Sequence, residues 1–132
     1  MTIEKQLSNT LAAVPKSVAC GVVDMSSGLV LGIQTTGNQP EEVFDLLGAA
    51  TKDMFEGDNV IAIEDIFKKA RGVKDPDLRY FQEIVVFSNN LIHYFARTED
   101  NPAVVFCVLS AVSVNIGLFL LKARQEAKNI TV

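Results

Sequence analysis

Three segments of this chain, CGVVD at 20–24, EIVVF at 83–87 and VVFCVL at 104–109, are apolar at successive positions, so each would hide both alternating faces of a strand. Runs of that kind usually belong to parallel sheets. Here, however, the strands are separated by turn signals too short for a crossover: Met25-Ser26-Ser27-Gly28 between the first pair, Asn89-Asn90 between the third and fourth, and Thr98 to Pro102 before the fifth. The chain must therefore cover both faces of an antiparallel sheet with its own helices. A single domain is expected, because no linker, repeat or like-charge block divides the 132 residues.

The helices are legible from their periodicity and stop signals. Ile3, Leu7, Leu11 and Val14 form one stripe over residues 2–14, with Thr2 as cap and Pro15 as stop. A hairpin follows over 18–34, its glycine supplying the positive φ of the turn. Pro40, Glu41 and Glu42 mark the start of a second helix that Gly57 ends, and residues 59–71 predict a short further helix with Val60, Ile63, Ile66, Phe67 and Ala70 turned inward. A polar loop, 73–79, then leads to strands at 80–88, 91–97 and 103–109. The turn at Asn89-Asn90 uses residues that tolerate the left-handed conformation. The last helix is expected over 112–129, with one apolar stripe on the sheet and a second, Val114, Leu118 and Leu121, on the first helix. The predicted fold is a three-layer α/β/α domain of order αββα(α)βββα.

From Ala103 to Leu121 no residue is charged, a length that could cross a bilayer. The first part is β-branched and aromatic, and Ser110, Ser113 and Asn115 are polar, so the stretch divides into a strand and a helix and no membrane insertion is expected. No secretory signal begins the sequence, which predicts a cytoplasmic protein. Its two cysteines, Cys20 and Cys107, lie in apolar runs as buried thiols, with no disulfide expected. A net charge of −4 argues against nucleic acid as a partner.

Chemistry is hard to find. The sequence has no GxxxxGK[ST] loop, and one histidine with two distant cysteines is too few ligands for zinc, so neither a nucleotide cofactor nor a metal is expected. His93 could join Ser88 and Asp100, but without a nucleophile turn a structural strand histidine is the expectation, and no catalytic residue is assigned. The acidic residues of the second helix and the cluster Lys68, Lys69, Arg71 and Lys74 read as solvated faces.

More informative is the second helix itself. Gly48-Ala49-Ala50 stands in its middle, where a glycine costs about 0.5–1 kcal/mol unless another backbone comes close. The apolar arc around it spans half the circumference, more than one sheet contact needs. A partner helix, most simply that of a second copy, would cover the surplus. Phe44, Leu47, Gly48, Thr51 and Phe55 are the candidate dimer or partner interface. The competing reading, cover by helix 59–71, leaves no such need.

The element order, together with an early hairpin in which Val22-Val23-Asp24 ends one strand and Gly28-Leu29-Val30-Leu31 begins the next, resembles the roadblock/dynein light chain family. The resemblance implies a five-stranded antiparallel sheet with the first and last helices on one face and the second on the other. It also implies homodimers or heterodimers in which second helices pair and sheets join edge to edge. Such proteins serve as non-enzymatic scaffolds or regulators, often of small Ras-like GTPases. The sequence departs from the family between Gly57 and Arg79, where the extra helix falls. An alternative is a small-molecule-sensing α/β domain, with Gly21 and Gly32 marking space for a ligand.

Overall fold

The first helix begins where Thr2 accepts a hydrogen bond from the Lys5 amide, 3.2 Å away, and runs as α1 over Ile3–Ala13 in a computed structural model. The structure describes residues 2–37, 41–75, 79 and 81–132, with residues 41–46 described by backbone alone. Pro40, the Phe44 side chain and Tyr80 thus lie outside the described residues.

The chain leaves α1 through Lys16, whose φ of 54° is left-handed, and enters the hairpin β1 (Ser17–Asp24) and β2 (Leu29–Thr35). Gly28 has φ 76° in the turn, as its place in the sequence requires. α2 (Glu41–Glu56) and α3 (Asp58–Arg71) are separated at Gly57 alone, and Gly72 closes α3 in the left-handed conformation. Strands β3 (Glu83–Phe87), β4 (Leu91–Arg97) and β5 (Val104–Ala111) precede α4 (Ile116–Asn129), which Asn115 caps by accepting from the Leu118 amide. The uncharged stretch is thus divided between β5 and α4, and among the described residues no helix is long and apolar enough to cross a membrane.

All strand pairs are antiparallel, and the sheet order is β2-β1-β5-β4-β3. α1 and α4 pack together on one face, over Leu7, Val22, Ile92, Tyr94, Phe106, Val108, Phe119 and Ala123. α2 covers the opposite face on the β1–β2 side, over Val23, Met25, Phe55, Phe95, Val105 and Cys107. The predicted three-layer architecture is what the chain adopts, but of the three strands expected to be covered on both faces β3 is not: Val85, Val86 and Phe87 are exposed at the edge of the sheet.

Several details differ from the sequence expectations. β5 continues two residues further, to Ala111, and α4 starts only at Ile116, because Asn115 is the better cap. Neither Asn89 nor Asn90 has a positive φ; Ser88 and Leu91 close the turn with a 2.9 Å backbone bond. The second stripe is divided: Val114, before α4, is buried in the core, whereas Leu118 and Leu121 are exposed, and within α4 Phe119, Ala123 and Ala127 carry the packing.

The largest difference is α3. Ile63, Ile66 and Phe67 face outward at 45%, 66% and 50% exposure, whereas Glu64 and Lys68 are buried. An ion pair explains part of this orientation: Arg79 lies 3.6 Å from the Glu64 carboxylate and holds the polar side of the helix inward. The Lys68 ammonium is buried with no hydrogen-bond partner among the described residues.

Candidate functional site

α2 is where the sequence placed an interface, and the structure gives most of the named positions intrachain work. Gly48 is the clearest. A Cβ there would stand 2.3 Å from the Gly28 carbonyl oxygen and 3.3 Å from Val30, so α2 lies directly on the β1–β2 turn. The close backbone approach inferred from the glycine exists, but the neighbour is the chain's own hairpin. Lys52 reinforces the contact by donating to the Met25 carbonyl. That lysine is only half-exposed.

Thr51 and Phe55 are fully buried within one copy. The Thr51 hydroxyl donates to the Leu47 carbonyl at 2.7 Å, and Phe55 lies beneath the Arg97 guanidinium, 5.2 Å from the ring centroid. These positions anchor α2 and do not reach its outer surface, which corrects the expectation that they meet a partner. Leu47 is half-buried, and Ala49, Ala50 and Asp53 are exposed. An outward face of α2 therefore remains, made of smaller residues than expected.

Arg97 was missed in the sequence because its partners are distant. It donates to Glu56 at the end of α2, to the Phe81 carbonyl before β3 and to the Pro102 carbonyl before β5. One buried guanidinium thus ties the end of α2 to the β3 side of the sheet. On the other face, Glu83 accepts from Tyr94 at 2.6 Å and from Arg124 at 2.7 Å. The Arg124 guanidinium holds the Glu83 carboxyl below its ordinary range, and burial followed by Glu83 itself pushes the Tyr94 phenol up.

Where the sheet emerges from under α2, Ile33, Leu47, His93, Cys107 and Leu109 line a largely apolar groove of about 380 Å³. His93 approaches the Ser88 hydroxyl at 3.1 Å and stacks on Phe95, and burial lowers its pKa. Asp100 does not join them. It lies beyond the opposite end of β4 and accepts from the Val132 amide. Ser88 also donates to the Leu91 carbonyl, so the pair closes a hairpin. Among the described residues no three His, Cys, Asp or Glu side chains are grouped to hold a metal.

The two glycines offered as ligand space have another explanation. A Cβ on Gly21 would come within 3.1 Å of the Gly32 oxygen, and one on Gly32 within 3.2 Å of Ile3 and Leu7. They let strand approach strand, and α1 approach the sheet. Asp24 likewise serves its turn: bonds from Ser26 and then Ser27 lower its pKa.

No family model matches the sequence, and no curated protein matches it either. Solved structures do match the fold. An MglB in a tetrameric arrangement is 16% identical over 95% of this chain and 82% of that one, with a TM-score of 0.67. The gliding protein MglB from Thermus thermophilus is 16% identical over 94% and 82%, with a TM-score of 0.66. A Roadblock/LC7 domain from Streptomyces avermitilis is 12% identical over 98% and 94%, with a TM-score of 0.64. With five antiparallel strands between α1–α4 and α2, in the same order along the chain, this protein has the roadblock/LC7 fold.

Proposed function

We propose that this chain is a non-enzymatic, homodimeric scaffold or regulatory module of the cytoplasm that engages a small Ras-like GTPase or a related signalling partner. The observation that carries the proposal is an unfinished sheet. β3 is an outer strand, and Val85, Val86 and Phe87 on it are exposed, Phe87 by 56%. An apolar outer strand invites pairing with another chain, and soluble proteins normally blunt such edges with charge or proline. A second copy joined through β3 covers it, and the outer face of α2 offers a separate contact. In this reading Phe44 and Leu47 contribute from α2, while Gly48, Thr51 and Phe55 fix the helix that presents them. The fold shared with MglB structures supports a regulatory role. Light scattering after size exclusion tests the dimer, since a 14.4 kDa species at all micromolar concentrations would refute it. Capture of a partner that depends on an added GTP analogue tests the GTPase.

The groove under α2 favours a second reading, a small apolar ligand held between Leu47 and the sheet residues Ile33, His93 and Leu109. Thermal shift against a metabolite library separates the two readings, because a ligand raises stability by mass action and a scaffold needs none.

A further inference from the structure

We infer that the groove beside Leu47 takes an uncharged, two-ring-sized apolar molecule carrying one hydroxyl or N–H, which it donates to Nδ1 of His93. The inference rests on the second reading above and names the chemistry of its ligand. Size comes first. A cavity of about 150 Å³ walled by Leu, Ile and Phe holds one benzene, and the groove here has about 380 Å³. One turn of an α-helix, 5.4 Å long and about 10–12 Å across, fills about 400–600 Å³, so the space suits a small molecule better than a partner helix.

Charge is excluded next. Among the described residues that line the groove there is no Lys, Arg, Asp or Glu. The Thr35 hydroxyl is already given to the Gly37 carbonyl and the Thr36 hydroxyl to the Val18 carbonyl. A carboxylate or phosphate entering here sheds its water and meets no cation. His93 then sets the polarity of the ligand. The Ser88 hydroxyl gives its own hydrogen to the Leu91 carbonyl, so its lone pair accepts from Nε2–H of His93 at 3.1 Å. That bond fixes the tautomer and leaves Nδ1 as a bare acceptor, without a partner among the described residues. Burial lowers the pKa of the ring and keeps it neutral at pH 7. A neutral acceptor in an uncharged wall selects a donor over both an anion and a donor-free ether.

The test titrates β-naphthol, its methyl ether and β-naphthoate, which share one ring system, into the full chain. His93 is the single histidine, so the ring-nitrogen NMR signals report on this contact alone. β-Naphthol binds ~3- to 10-fold tighter than its ether, naphthoate binds weakest, and only the naphthol moves the Nδ1 signal. His93→Phe, with a thermal melt as a check on folding, lowers naphthol to the affinity of its ether and leaves the ether unchanged. The three probes on the unaltered chain decide the matter even if that variant does not fold. Naphthol no tighter than the ether, or naphthoate tightest, overturns the donor inference and leaves the groove reading standing. Failure of all three to bind at about 1 mM removes both. A naphthol affinity that falls as protein concentration rises means that a side chain of a second copy fills the groove, and overturns the inference as well.

Discussion

The two faces of the sheet are finished to different degrees. On the α1–α4 face two helices close over Tyr94, Phe106 and Phe119, all at most 1% exposed, and the Glu83–Tyr94–Arg124 contacts link α4 to the sheet beyond them. On the α2 face one helix covers the β1–β2 side, the groove beside Leu47 stays open, and α3 shows its apolar residues to solvent. The first face is closed over its apolar residues; the second leaves part of its apolar area in water. Both gain from burial of apolar area, at about 25 cal/mol per Å², but on the second side that gain is incomplete.

The contrast breaks if core truncation costs the same on both sides, so the largest expected effect comes first. Phe119→Ala should destabilise the protein by about 3–5 kcal/mol in urea unfolding, because the cavity lies where α4 meets the sheet and cannot collapse freely. Gly48→Val should cost less, about 1–3 kcal/mol, as its side chain displaces α2 from the Gly28 carbonyl. Hydrogen exchange sharpens this second case: protection should fall in α2 while α1 and α4 keep theirs.

Acidity should separate the faces with a smaller effect. His93, on the α2 side, has its pKa lowered by burial below the ordinary 6.5, so the unfolded chain binds its proton more readily. Stability from this group is present above pH 6.5 and declines as pH falls toward the folded value. Glu83, on the other side, is lowered from 4.5 by Arg124, so its contribution is present above that pH and is lost as pH falls through the folded value. Chemical denaturation across pH should thus show two successive declines, and His93→Gln should remove only the upper one. A single decline that survives this substitution would mean His93 does not report on the α2 face.

Much of this architecture was legible along the chain, because strand pairing and helix stops are local signals. Gly28 marked the hairpin turn, Gly57 and Gly72 bounded α3, and the two-faced strands implied the third layer. Gly48 announced a close backbone contact, yet nothing local could say that the contact was Gly28 and not a partner. The facing of α3 was misjudged for a similar reason. Periodicity finds the apolar stripe of a helix but not its direction, and here the direction is tied to Arg79, fifteen residues from Glu64 in sequence. Arg97 stayed hidden because its acceptors, Glu56, Phe81 and Pro102, meet only when α2, β3 and β5 are assembled.

The two cysteines occupy opposite layers of the molecule. Cys20 donates to the Leu7 carbonyl beneath α1, whereas Cys107 belongs to the cluster under α2. Burial pushes both thiols up to about 12, which keeps them protonated and nearly inert toward alkylating reagents at neutral pH. They cannot bridge to each other through the sheet. Each is instead a chemical clock for its own layer: the rate at which a maleimide consumes Cys107 measures how often α2 lifts, and Cys20 times the release of α1.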